Sequence, residues 1–310
     1  MKITSCPVCK FNDIDVRRDQ YYAADKTYVF RIVECPSCGH FFTYFLEDAD
    51  INQYYDGGDY TVRDTRKSIF HRIQEIEYNK VLNTIGKLNP ARSLLDFGSG
   101  KGVFLSFAKK RGYQVVGVET SKPRANYTKD VFGIEVSTGF FSGGMIFGKR
   151  YPVITMFHVL EHIPDITIFP KQLYDDNLSA GGLIVIEVPN FGSWQSKWAK
   201  GRWLHIDAPR HISHFTEKSL EKIINNLNLE VIKKETYSLH LGIIGMIQTL
   251  LSFGGYKGFL IGDLKEKKSP SLKIKVLFLL PFAFILEGLS ALAGKGGVLR
   301  YYLQRKKEVA

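Results

Sequence analysis

Leu94-Leu95-Asp96-Phe97-Gly98-Ser99-Gly100-Lys101-Gly102 is the stretch that decides how this 310-residue chain is read. A short apolar run ends in an acid and then gives way to three glycines at alternate positions. Glycine permits positive φ and lets the backbone approach a ligand with no Cβ in the way. A strand that opens through such a turn into a helix is the entrance to a doubly wound α/β sheet. The dinucleotide form of that turn needs G-x-G-x-x-G, which seats a pyrophosphate on the helix N-terminus. Here the spacing is G-x-G-x-G, and Val103 stands where the last dinucleotide glycine would be. The spacing therefore speaks against a dinucleotide.

Downstream, short apolar runs alternate with helix-period stretches. Strands are expected at 93–96, 115–119, 134–137, 153–157, 183–188 and 229–237, with helices between them, for example at 103–111 and 217–227. Thr216 is placed to cap the latter. A further helix, 66–88, precedes the first strand and ends near Asn89-Pro90. Regular alternation of strand and helix means a parallel sheet covered on both faces. The second strand ends in Glu119, 17 residues past Gly102. A carboxylate at that strand end can accept hydrogen bonds from both hydroxyls of a ribose.

Taken in order, the loop 96–102, the strand 115–119 and Phe157-His158-Val159-Leu160-Glu161-His162 after the fourth strand resemble the class I S-adenosylmethionine (SAM) dependent methyltransferases. The resemblance runs from about Arg66 to the C-terminus. It implies a seven-stranded Rossmann-like sheet whose last strand is antiparallel, and Gly297 to Gln304 matches that strand. It also implies SAM as cofactor. SAM has no phosphate but carries an amino-acid tail, whose ammonium group Asp96 can help to hold. By the same resemblance Asp96, Gly98, Ser99, Gly100 and Gly102 would lie along the methionine portion. Glu119, followed by Thr120, would reach the ribose, Gly139 and Phe140 would lie near the adenine, and His158 would pack beside the cofactor. The family often has an Asp after the third strand, where this chain has Thr138-Gly139-Phe140-Phe141, so the adenine amino group is left unassigned. Tyr60 reads either as a cap on SAM or as an exposed linker residue.

All four cysteines fall within the first 38 residues. Cys6-Pro7-Val8-Cys9 and Cys35-Pro36-Ser37-Cys38 are two C-x-x-C turns separated by 25 residues, the pattern of a tetrahedral zinc site. Four thiolates leave no open coordination position, so the expected zinc is structural and His40 is not a ligand. The implied organisation is a zinc ribbon over 1–48, a connector over 49–65 and a methyltransferase domain over 66–310. The opening residues contain no apolar run resembling a signal peptide, which makes the cytoplasm the expected compartment. Hydrophobic residues at 45% and charged residues at 24% exclude a disordered chain.

Five histidines, His158, His162, His205, His211 and His214, follow strands four and five, at the edge where α/β sheets bind ligands. Trp194, Trp198 and Trp203 share the long excursion 190–215, a length that favours a functional loop. Residues 203–216 resemble a signature of one methyltransferase branch, frequent in polysaccharide and antibiotic-sugar pathways. That branch implies attack of a sugar oxygen, nitrogen or carbon on the sulfonium methyl. A hydroxyl nucleophile needs a base, and His162, His211 and His214 are the candidates, in no firm order. Glu161 reads as a residue that orients the loop.

The link from the sixth strand to the last is enlarged, running from about 238 to 295, and holds apolar runs at 241–251 and 276–286. The second run reads as too short for a membrane span before Glu287, and Pro281 lies inside it. From Leu239 onward there are eleven Lys/Arg against four Asp/Glu, within a net charge of +11. Two readings stay open: a lid packed on the domain, or apolar helices dipping into a bilayer interface with Lys265, Lys267, Lys268, Lys273 and Lys275 on anionic headgroups. The leading functional expectation is O-methylation of a sugar or lipid-linked glycan in cell-envelope polysaccharide biosynthesis, in the cytoplasm or on the inner membrane face. RNA base methylation aided by the ribbon and sugar C-methylation are the alternatives. Nucleic acid is the weaker partner, because the basic surplus accompanies apolar helices and lies away from the ribbon. A non-catalytic scaffold is disfavoured by the intact cofactor loop.

Overall fold

The computed structural model describes residues 5–13, 21–24, 29–44, 62, 64, 66–265 and 270–306. Tyr60, most of the connector, Lys267 and Lys268 lie outside the described residues. Seven strands form the main sheet: β4 (Ser93–Phe97), β5 (Gln114–Glu119), β6 (Glu135–Thr138), β7 (Tyr151–Phe157), β8 (Leu178–Pro189), β10 (Leu229–Glu235) and β11 (Val298–Arg305). Their order is β10-β11-β8-β7-β4-β5-β6. Neighbours pair in parallel except β11, which runs antiparallel to both β8 and β10. The α/β class, the strand count and the antiparallel last strand are those expected from the sequence.

Period-two alternation splits the core over the two faces of this sheet. Leu94, Val153, Leu183 and Val185 pack with Val81, Leu82 and Ile85 of α1 (Ile69–Leu88) and Phe104, Leu105 and Phe107 of α2 (Val103–Lys110). Leu95, Val116, Ile154, Met156 and Ile184 pack on the opposite face. Ser68 caps α1, its hydroxyl accepting from the His71 N–H at 3.1 Å. Arg300 of β11 is wholly inside, held by the carboxylates of Glu77, Glu187 and Glu235. Ion pairs from three elements meet at it and fix α1, β8 and β10 relative to β11.

Chain order turns around at β4, since β5 and β6 lie to one side of it and β7 and β8 to the other. The crevice of such a sheet opens beyond the carboxyl ends of the strands at that switch point. The loop after β4 and the turn after β7 therefore face each other there.

The N-terminal segment is less of a satellite than its composition suggests. Its strands β1 (Tyr21–Ala24), β2 (Val29–Glu34) and β3 (Phe41–Tyr44) form an antiparallel sheet, and β9 (Ser213–His214) of the large domain completes it beside β3. Val33, Cys35, Cys38 and Phe42 share a buried cluster with Ile212, Phe215 and Leu220. Lys10 pairs with Asp165 at 3.0 Å.

The enlarged link before β11 folds as α7 (Leu241–Phe253), α8 (Leu260–Lys265) and α9 (Pro270–Leu292). α7 is largely buried and packs with α9. The expectation that the second apolar run is cut short at Glu287 needs correction. α9 continues through Pro281 and Glu287 for 23 residues, long and apolar enough to cross a membrane by length and composition. Glu287 does not interrupt it because the side chain turns inward, accepting from the Gly297 N–H at 2.8 Å and from Gln195 Nε2. With Ala283, Glu287 and Ser290 buried, the outward face of α9 exposes Ile274, Leu277, Phe278, Phe282, Ile285 and Leu289.

Candidate active site

The glycines of the 98–102 turn serve two purposes. Gly98, Gly100 and Gly102 all have positive φ. A Cβ on Gly98 would lie 2.2 Å from Val159 Cγ2, and one on Gly102 would lie 2.4 Å from Thr128 Cγ2, so packing against the protein itself forbids side chains there. At Gly100 a Cβ would meet nothing within 4 Å. There the bare backbone faces open space, as close approach to a ligand requires. The contact of Gly98 with Val159 also sets the loop directly against the turn that carries His158, Glu161 and His162.

Two carboxyls flank this loop. Asp96 is buried and accepts from the Thr155 hydroxyl at 2.6 Å. Burial, reinforced by the Glu119 charge and opposed by that hydrogen bond, pushes its pKa up to about 7. A carboxyl so reluctant to ionise is stabilised by a cationic ligand, and the SAM ammonium group is one. Glu119, at the end of β5, accepts from Gly100 N–H at 2.8 Å and, through its other oxygen, from Ser121 N–H at 2.8 Å. Each oxygen keeps lone-pair capacity for a hydroxyl donor. The Thr120 hydroxyl is 3.5 Å from Glu119 and the buried Ser99 hydroxyl has no partner. These residues fit SAM. Phe140, expected near the adenine, makes no packing contact that fixes it there. Its ring is 90% exposed after β6, and it is Phe141 that packs, edge-on to Phe97 at 6.0 Å.

Beyond β7 the chain makes a short 3-10 turn, Leu160–His162. His158, at φ 56°, donates from Nε2 to Glu187 at 2.9 Å and lies 3.3 Å from Glu161 through Nδ1. Burial opposes its charge, but the Glu161 and Glu187 carboxylates outweigh burial and push its pKa up to about 10. It is an imidazolium at neutral pH and unsuited to act as a base. His162 and His211 meet edge to face with ring centroids 4.7 Å apart. Each donates from Nδ1 to a backbone carbonyl at 2.9 Å, His162 to Arg210 and His211 to His205. In the neutral rings this fixes Nε2 as the nitrogen that carries the lone pair. Burial and the neighbouring His162 keep the His211 pKa well below its usual value.

His214 does not join this pair. Its Nε2 bonds the Thr43 hydroxyl at 2.9 Å beside the ribbon, and burial pushes its pKa down to about 3. It is therefore not grouped with the other two candidates, His162 and His211. Sequence reading underrated Glu161. It is fully buried, its Oε2 has no hydrogen-bond donor, and it groups with His162 and His211. The adjacent acid and histidine in the 158–162 motif were the available signal. Thr43 carried none.

The four cysteines form no disulfide. Their sulfurs lie within 4.8 Å of one another, with Cys6–Cys38 and Cys9–Cys35 both at 3.5 Å. Tetrahedral zinc with Zn–S bonds of ~2.3 Å would set sulfurs about 3.8 Å apart, so the donor set fits zinc. His40 is buried against Phe215 and stands outside the cluster.

In sequence, residues 68–234 match the family described as a methyltransferase domain. No curated protein matches the chain. Solved structures with a similar fold include an S-adenosylmethionine-dependent methyltransferase from Clostridium acetobutylicum, at 10% identity and TM-score 0.49, covering 83% of this chain and 98% of that one. Another is the plantazolicin methyltransferase BpumL in complex with SAH, at 13% identity and TM-score 0.47, covering 83% and 92%. A third is coclaurine N-methyltransferase bound to N-methylheliamine and SAH, at 13% identity and TM-score 0.45, covering 74% and 70%.

Proposed function

The chain belongs to the methyltransferase-domain family and is a SAM-dependent methyltransferase, and from that premise we propose that it O-methylates a sugar hydroxyl, on a lipid-linked glycan or a nucleotide sugar of polysaccharide biosynthesis. One observation carries the choice of a hydroxyl. His162 and His211, each with Nδ1–H held by a backbone carbonyl, group with Glu161 beside the turn that packs against the cofactor loop. Thiolate or amine acceptors need less help, whereas a sugar hydroxyl gives up its proton only to a placed base.

SAM supplies an electrophilic methyl. Asp96 and Glu119 hold the donor by its ammonium and ribose groups, and Gly100 allows its approach. The imidazole takes the hydroxyl proton, the oxygen pair forms the new O–CH3 bond, and the C–S pair remains on sulfur as a thioether. Alignment of the three atoms supplies most of the rate. The cysteine cluster would hold a structural zinc, and β3, which follows it, pairs with β9 next to His211.

The same proposal includes a lipid surface. The outward face of α9 is apolar, and Lys273 and Lys275 at its start are exposed. An amphiphilic helix of this composition beside an anionic bilayer gives reversible attachment, which suits an acceptor carried on lipid. Mass spectrometry after incubation with SAM and a panel of nucleotide sugars, polyprenyl-linked glycans and ribosomal RNA tests the reading. A methyl ether on a sugar is the expected product; methylated RNA or a methylated sugar carbon would overturn it.

A further inference from the structure

We propose that Glu161, His162 and His211 bind a divalent transition-metal ion, distinct from the cysteine-bound zinc, at the acceptor side of the cofactor loop. One donor atom from each lies within 4.8 Å of the others. A metal with ~2.1 Å bonds to nitrogen and oxygen would set its ligands roughly 3.0–3.5 Å apart, so the three need to close by about 1 Å.

Three further features point the same way. Glu161 is 0% exposed; its Oε1 faces His158 Nδ1 at 3.3 Å, and its Oε2 has no hydrogen-bond donor. Buried carboxylates are normally satisfied, and an orphan of this kind calls for a cation. Secondly, His162 and His211 both spend Nδ1–H on backbone carbonyls at 2.9 Å. Ligating histidines are oriented by such outer hydrogen bonds, which fix the tautomer and leave Nε2 for the metal. Thirdly, Asp207 Oδ1 takes both donors of Arg210, and its Oδ2 lies 3.8 Å from His211 Nε2. It offers a fourth, oxygen donor. Two imidazoles with one or two carboxylates suit Zn2+, Mn2+, Fe2+ or Co2+ far better than Mg2+ or Ca2+.

The role of this ion rests on the hydroxyl-acceptor reading; its existence does not. An acceptor oxygen held by the ion loses its proton more readily than a free alcohol. Bound to the ion, the imidazoles are ligands in place of the base role they have without it, and the proton leaves to solvent.

The test uses the full-length, zinc-loaded protein titrated with Co2+ and, separately, Mn2+. Expected is one Co2+ per chain, with weak visible bands of nitrogen and oxygen ligation and no thiolate charge-transfer band, which marks it as separate from the cysteines. Glu161→Gln and His211→Gln should each weaken Co2+ binding by about tenfold or more. Circular dichroism and SAM binding establish that the variants are folded, and His162→Gln replaces either one that is not. Wild-type protein that binds neither ion, or variants that bind Co2+ as tightly as wild type, would overturn the site. Cobalt bound as expected by an enzyme that methylates no hydroxyl would sink the acceptor reading and leave the site standing. Hydroxyl methylation without ion binding would do the reverse.

Discussion

The hydroxyl of Thr43, in the ribbon, donates to the backbone carbonyl of His211 at 2.6 Å, and its oxygen meets His214 Nε2 at 2.9 Å. The same segment is tied on its other side by Ile212 N–H to the Glu161 carbonyl at 2.8 Å. The ribbon and the turn after β7 thus grip His211 between them. Thr43→Val keeps the volume and removes both bonds, leaving buried polar atoms unsatisfied. Stability should fall by about 1–3 kcal/mol. Turnover should fall while SAM affinity stays the same, because the cofactor loop is not touched. Unchanged turnover in a folded variant would separate the ribbon from the chemistry.

Zinc should act through the same contact. About one zinc per chain is expected in protein purified without chelators, and Cys35→Ser should lose it. Because β9 pairs with β3, hydrogen exchange should rise across residues 211–215 as well as across the ribbon. Metal-free protein with full exchange protection would remove zinc from the account.

Asp96 gives a pH signature. Its folded pKa, about 7, lies above the ordinary value of 3.8. Between those values the folded protein holds a proton that the unfolded chain has lost, so this group's contribution to stability declines as pH rises from about 4 to about 7 and is level above. A cationic ligand reverses that preference. SAM affinity should therefore rise from about pH 5.5 to about pH 7.5, before an α-amino group itself titrates. Asp96→Asn should bind more weakly and with a flat profile. Calorimetric titration checks both, and a flat wild-type profile would remove Asp96 from the ammonium site.

The exposed face of α9 should prefer anionic vesicles to neutral ones. Each Lys near such a surface is worth on the order of 1 kcal/mol, so changing Lys273 and Lys275 to Gln should release part of the bound protein, as should high salt. Phe278→Asp, 69% exposed in wild type, should release more at little cost to folding. Equal sedimentation with both lipids, or none, would leave α9 as a surface for something other than a bilayer.

By itself, the sequence determined the α/β class, the antiparallel last strand and the family. These signals are local. Glycine spacing at Gly98, Gly100 and Gly102 reports backbone conformation, period-two runs such as 93–96 report a sheet face, and paired C-x-x-C turns converge within a few residues. Only the tertiary structure decided which histidines lie together. His162, His211 and His214 are equivalent in type, but the last is taken by Thr43, a residue 171 positions away. Glu161 looked like a loop residue until burial left its Oε2 without a donor. Glu287 looked like the end of an apolar run until Gly297 and Gln195 drew it inward and left α9 whole. In each case a side chain's role was set by partners distant in sequence, because charge and hydrogen bonding depend on the groups that surround a residue in space, which local pattern does not encode.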